Sequence, residues 1–209
     1  MRGIIRLFAV SVLAFGLVFV ADIIAKTGLA NVGGPTDSIK DATERAVGIL
    51  NADNKSPVEK RRLFRELMRE KINFEETSRM TLGPNWPRDP AKQREFVGLF
   101  AELIEHTYVS NLVRADVSFT YGKEYPPNKS DLSRYVVQTV MRTKKGDVSI
   151  DYAMMFVDGK WKIYNILVEH VSLVSNWKSQ FQRIIAKRSF DGLLSVLRDK
   201  NAKFNEGHP

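Results

Sequence analysis

Residues 148–169 read VSIDYAMMFVDGKWKIYNILVE. At the centre stands Asp158-Gly159, a dipeptide that tolerates positive φ at both positions. A two-residue turn between right-twisted strands demands that. The flanks alternate as strands do, which predicts a β-hairpin. Setting Val157 opposite Lys160 fixes the register. One face then carries Ile150, Tyr152, Met154 and Phe156 beside Trp161, Ile163 and Leu167, a continuous apolar wall. The other mixes Ser149, Asp151, Lys160 and Lys162 with Met155, Ile166 and Val168, and reads as partly wet, with Asp151 opposite Ile166. A lone hairpin is marginal in water, so this wall needs further strands and a cover.

Both are legible upstream and downstream. Val117, Phe119 and Tyr121 alternate with Ser118 and Thr120, giving a strand; a polar loop, 122–131, separates it from a second strand over 135–143. Helical spacing marks Ile39, Ala42, Ala46, Val47 and Leu50. Ser56-Pro57-Val58-Glu59 is a capping box opening a helix with Leu63, Phe64, Leu67, Met68 and Ile72 on one face. Residues 73–80 are ambiguous, and Leu82-Gly83-Pro84-Asn85-Trp86-Pro87 is a loop. Asp89-Pro90 opens the most aromatic helix, with Phe96, Val97, Phe100, Leu103, Ile104 and Tyr108. Ser172 caps a helix with Val174, Trp177, Phe181, Ile184 and Ile185, and Ser189 caps a last one with Leu193, Leu194 and Leu197. Helices, then about four antiparallel strands, then helices make an α+β fold, a sheet covered by helices from both ends of the chain.

The first thirty residues bear on the compartment. Arg2 and Arg6 precede an uncharged apolar run, Leu7 to Ala21, and Gly28-Leu29-Ala30 offers small groups for cleavage. This is the anatomy of a secretory signal peptide. About fifteen residues fall short of the ~20 of a spanning helix, which disfavours the alternative, an uncleaved anchor. The expected organisation is a leader over 1–30, one domain over 31–200 and a frayed tail over 201–209. The 209 residues carry a net charge of +8 and no cysteine, which excludes disulfides, thiolate metal sites and a Cys nucleophile. A basic secreted chain suits anionic head groups or acidic partners. Nucleic acid is the other use of such charge, but no motif for it is present.

The chemistry of catalysis is missing. His106, His170 and His208 have neither paired spacing nor a matching carboxylate nearby in sequence. There is no nucleophile elbow, phosphate-binding loop, dinucleotide fingerprint or zinc-protease motif. Asp151 is the one acid that a catalytic reading could use; the plainer reading is a solvent-facing carboxylate. No catalytic residue, metal site or cofactor is therefore expected. What remains is apolar surface, and pattern alone does not distinguish a filled core from one opened around a ligand.

A set of segments in fixed order carries a resemblance. Phe74 is followed by Leu82-Gly83-Pro84-Asn85-Trp86, then Gln93-Arg94-Glu95-Phe96, Phe100 and Thr107-Tyr108. Later come Asp151-Tyr152, Gly159-Lys160-Trp161-Lys162-Ile163-Tyr164, the run from Val168 to Trp177, Gln180-Phe181 and Gly192-Leu193-Leu194. Over about residues 36–200 the chain resembles the MlaC/toluene-tolerance family. It departs from the pattern at His170, where a Gly is usual, at Trp177, where a Tyr is common, and at Ile166, where an Asp-Val step is typical. The resemblance implies a fold related to the NTF2-like group, with an apolar cavity between sheet and helices for the acyl chains of a phospholipid. It also implies a monomeric periplasmic carrier that shuttles lipid between the outer and inner membranes. Its implied partners are an inner-membrane ABC transporter bearing an MCE domain and an outer-membrane lipoprotein complex. The cavity wall expected on this basis is Phe96, Phe100, Leu103, Tyr108, Tyr152, Met154, Trp161 and Ile163, with Tyr152 lending a hydroxyl at the rim. Carriage of another lipid such as a hopanoid, an NTF2-like enzyme using Asp151 or a His, and a filled-core adaptor are the competing readings.

Overall fold

The computed structural model describes residues 33–109 and 116–206. The expected leader and His208 lie outside the described residues. Four helices precede the sheet: α1 (Pro35–Asn51), α2 (Pro57–Lys71), α3 (Phe74–Leu82) and α4 (Pro90–Val109), with a 3-10 turn at Gly83–Asn85 between the last two. The strands are β1 (Ser118–Tyr125), β2 (Arg134–Thr143), β3 (Gly146–Val157), β4 (Lys160–Val168) and β5 (Val171–Ser172), and α5 (Leu173–Asn205) closes the chain. The fold is α+β, with one antiparallel sheet in the order β1-β2-β3-β4-β5. The fifth strand, only two residues long, is too short to leave an alternation pattern.

Caps set the helix boundaries. The Ser56 hydroxyl accepts from the Glu59 amide at 3.2 Å, while the Glu59 carboxylate pairs with Lys55 at 3.2 Å; the serine half of the capping box forms. The ambiguous stretch after Ile72 is a helix because Asn73 caps it, accepting from the Glu76 amide at 3.0 Å. Ser189 ends one helical run and starts the next: its φ of 63° and ψ of 177° break α5 into two arms. The second arm runs to Asn205, past the point where the sequence reading ends it. Asn201 is buried and donates to Leu99 O at 3.0 Å and to Glu102 at 3.1 Å.

The central hairpin turns as expected: Val157 faces Lys160 across Asp158 (φ 51°) and Gly159 (φ 72°). The register holds as far as Met154 opposite Ile163, and then slips. Ala153 pairs with Asn165 and Tyr152 with Ile166, so Tyr164 is the extra residue of a β-bulge. Beyond it every β4 side chain changes face. The expected wall therefore loses Leu167 to the other face, opposite Asp151, and gains Ile166. Asp151 does not face Ile166 and is not a solvent-facing carboxylate; it is buried. A second irregularity, between Tyr121 and Glu124, lets β1 continue to Tyr125 through what reads as the start of a loop.

Burial falls into two clusters. One is helical, with Leu82 from α3, Phe96, Phe100, Leu103 and Ile104 from α4, and Phe181, Leu193, Leu194 and Leu197 from α5. The other lies on the sheet, where Val137, Ile150, Tyr152, Met154 and Ile163 meet Ile39 of α1.

Candidate functional site

A cleft lies where the two clusters meet. Ile104 and Trp177 of the helical cluster and Ile163 of the sheet cluster all line it. Strand β4 supplies one wall, residues 163–166. On a regular strand side chains three apart point to opposite faces. The bulge at Tyr164 cancels that alternation, so Ile163 and Ile166 both join the sheet cluster and both line the cleft. Ile72 and Thr77 come from the junction of α2 and α3, Ile104 and Tyr108 from α4, and Leu173, Val174 and Trp177 from the first turns of α5.

The rim is polar and internally satisfied. The Asn73 amide donates to Ile163 O at 2.8 Å, and Ile72 bridges Ile163 in parallel register. The Thr77 hydroxyl lies 3.0 Å from Tyr164 O. Asn165 accepts from the Val174 amide at 3.2 Å and donates to Ser172 at 3.0 Å, fixing the start of α5 against β4. Glu76 takes two hydrogen bonds from Arg79, at 2.7 and 2.8 Å, and one from Arg134 at 2.8 Å. Burial works against the Glu76 carboxylate, but the two guanidiniums outweigh it and hold its pKa below the usual carboxylate range. Arg134 also lies over the Tyr164 ring, 4.8 Å from its centroid. Burial raises the Tyr108 phenol, with the Trp177 indole N–H acting against it. With these polar groups consumed, the interior is apolar. Neither Asp151 nor a histidine lines it.

The space is narrow, about 50 Å³. That holds a few methylenes, against the ~300–1,000 Å³ of ordinary ligand pockets. The expected wall residues divide accordingly. Tyr108 and Ile163 line the cleft. Phe96, Phe100 and Leu103 sit inside the helical cluster, Tyr152 and Met154 inside the sheet cluster, and Trp161 packs on the latter. Tyr152 is buried and lies off the rim, and burial pushes its phenol pKa up. Sequence reasoning put Ile72 and Ile104 on helix stripes and Ile166 on the wrong face. It missed Thr77 and Asn165 altogether, since neither carries a pattern. His106 is buried and stacks on Phe204 with ring centroids 5.1 Å apart; His170 is exposed in a turn. Among the described residues no group of three or more His, Cys, Asp or Glu could hold a metal ion. No helix among them is long and apolar enough to cross a membrane.

Comparison with solved structures finds the same fold in a phospholipid-binding protein from Ralstonia solanacearum, determined in complex with a phospholipid. The two superpose with a TM-score of 0.71 at 21% identity, over 83% of this chain and 99% of that one. No curated protein matches the chain. The family description "MlaC protein" matches residues 40–199, most of the chain and nearly all of the helices and strands described above. The chain belongs to the MlaC family.

Proposed function

We propose that this protein binds a phospholipid by its acyl chains and carries it through the periplasm between the outer and inner membranes. The observation that carries the reading is the apolar cleft at the seam of two hydrophobic clusters, with the polar groups that line it already paired. Such a site offers tails a dry wall and offers a reaction nothing. The phospholipid held by the Ralstonia protein of the same fold supports it. Two tails exceed the present cleft, so loading requires the helical cluster to part from the sheet. Tyr108 and Ile163 then touch the lipid first, and Phe96, Phe100, Leu103, Tyr152, Met154 and Trp161 become the deeper wall. Each buried methylene contributes ~0.8 kcal/mol, so a pair of long chains replaces the apolar contacts that opening gives up.

In this reading the protein is a monomeric carrier, not an enzyme, exported by the leader over residues 1–30. It is the soluble component of an ABC transport system that maintains outer-membrane lipid asymmetry. It delivers to an inner-membrane transporter bearing an MCE domain and exchanges with an outer-membrane lipoprotein complex. The test is mass spectrometry of an organic-solvent extract from the folded, purified protein. A near-stoichiometric phospholipid is expected, and a hopanoid in its place would redirect the lipid class. A lipid-free extract from folded protein rejects carriage.

A further inference from the structure

The α5 helix carries a second feature that the lipid cleft does not use. From Leu173 to Arg188 its sequence contains Lys178, Arg183, Lys187 and Arg188 and no acid. At Ser189 the helix breaks, and the two arms enclose a groove of about 320 Å³ lined by Gln180, Arg183, Ile184, Lys187, Arg188 and Val196. The break is built into the backbone. Ser189, at φ 63° and ψ 177°, occupies a region that is essentially glycine's, at a cost of about 1–3 kcal/mol. Gly192 leaves no room for a side chain, because a Cβ there would lie 2.5 Å from the Cβ of Arg188. The kink thus sets Arg188 against the start of the second arm.

Arg183, Lys187 and Arg188 are exposed and form no ion pair among the described residues. Nearby charges are spoken for: Asp191 pairs with Lys92 at 2.6 Å, and Arg198 pairs with Glu95. The groove's aliphatic lining residues, Ile184 and Val196, are half-buried, and it has no aromatic side chain of the kind that anchors a protein interface. The large exposed apolar side chains, Val58, Tyr108, Tyr125, Leu132 and Val171, are not among its lining residues. A surface of one sign without an anchor suits a partner that is itself of one sign and needs no register. A layer of lipid phosphates is such a partner, and guanidinium groups meet phosphate oxygens in pairs.

We infer that the groove at the α5 kink docks the protein on an anionic phospholipid bilayer, with Arg183, Lys187 and Arg188 seating lipid phosphates. The inference deepens the carrier reading. Leu173, Val174 and Trp177 line the lipid cleft, and Gln180 and Arg183 follow one to two turns along the same helix, about 10 Å away. Docking there brings the cleft to the membrane without inserting anything apolar, so release stays easy.

Vesicle co-sedimentation of the mature protein decides it, with phosphatidylcholine vesicles against the same vesicles containing phosphatidylglycerol. Binding to the anionic vesicles, lost on raising the salt, is expected. The triple variant R183Q/K187Q/R188Q should bind about a hundredfold more weakly, at roughly fivefold per cation. The variant K40Q/K123Q/K129Q removes the same charge from exposed lysines elsewhere and should bind as the wild type does. Equal loss in both triples would reduce the effect to net charge and overturn the inference. So would absence of binding to anionic vesicles, or capture of polyglutamate without capture of vesicles. Lipid extracted from the R183Q/K187Q/R188Q protein is a separate readout. Unchanged lipid content with lost vesicle binding supports docking, and a lipid-free wild type that still binds vesicles through the groove rejects carriage alone.

Discussion

The helical cluster and the sheet cluster are both buried but built differently. In the helical one, aromatic rings fill the centre. Phe100 meets Phe181 at 5.1 Å and Trp177 at 5.7 Å, both edge to face, and Phe96 meets Phe181 at 5.7 Å in the same geometry. Side chains from three helices interlock there, and no single element can leave without opening a void. The sheet cluster is one layer of alternating side chains under a single helix. Its rings are dispersed over three strands, with Tyr152 of β3 inside the layer and Phe119 and Tyr121 of β1 and Trp161 of β4 packed against it. Ile39 is the one buried large apolar residue that α1 contributes. A cluster knit from three directions keeps its shape; a layer under one helix can part at its free edge. The cleft lies where those two kinds of packing meet, which locates the seam that has to open.

The largest expected effect tests that contrast directly. Phe100→Ala should cost about 3–5 kcal/mol in denaturant melts, because the surrounding rings cannot collapse into the space. Ile39→Ala, in the thinner cluster, should cost less, about 2–4 kcal/mol. Reversal of that order would mean that the sheet cluster is the better packed of the two. A Phe100→Ala protein of near wild-type stability that had lost its lipid would make Phe100 a cavity wall and not a keystone.

Next in size is the rim. Glu76→Gln removes the carboxylate that Arg79 and Arg134 share, and should cost about 2 kcal/mol at neutral pH. The folded pKa of Glu76 is depressed, so its contribution is complete above the unfolded carboxylate value and disappears as pH falls through the folded one. The gap between wild type and variant in urea melts should therefore close on acidification. A gap that stays constant into the acid range would show that the charge of Glu76 is not what holds the rim.

Smaller in stability but decisive for function is a variant that fills the seam. Ile166 is half-buried on the cleft wall. Ile166→Trp occupies the space that the tails would enter, and leaves the helical cluster with its own packing while crowding the edge of the sheet cluster. Stability should fall by about 1–2 kcal/mol, the lower part of the overpacking range, because the cleft takes up part of the ring. Extracted phospholipid should drop several-fold. Full lipid content in this variant would move the binding site away from the seam.

These residues also show what a sequence can and cannot disclose. The α+β order, the caps at Ser56, Ser172 and Ser189, and the turn at Asp158-Gly159 are local matters, and local chemistry announces them. The bulge at Tyr164 is not. Its residue has no required side chain, yet it decides that Ile166 and not Leu167 faces the cluster. The α3 helix had a legible start in Asn73 and Glu76, but at nine residues it was too short for periodicity to speak. The candidate site failed to emerge for a related reason. Phe96 and Tyr152 belong to one apolar inventory, and only the three-dimensional seam separates a core residue from a cleft residue.

The smallest effect concerns the turn that leads from the sheet to the helix contributing Trp177 and Phe181. Two hairpins of the sheet close over two residues with positive φ. One is Asp158 and Gly159 at 51° and 72°; the other is Glu169 and His170 at 47° and 64°, between Val168 and its partner Val171. The first has the residues such a turn favours, and the second does not. Glu169 is held by its side chain, which accepts from the Ser149 amide, whereas the His170 side chain is exposed. Glycine takes a backbone at 64° without the cost that a side chain imposes. His170→Gly removes a conformational cost of roughly 1 kcal/mol and returns part of it as greater freedom of the unfolded chain. The net should be a stabilisation of about 0.5 kcal/mol, seen as a rise of roughly 1–2 °C in Tm. Gly159→Ala should destabilise, because it imposes on the favourable turn the penalty that His170 already bears. If His170→Gly instead weakens the protein, the imidazole makes a contact that fixes α5 against the sheet, and the seam is tied at that end as well as along the rim.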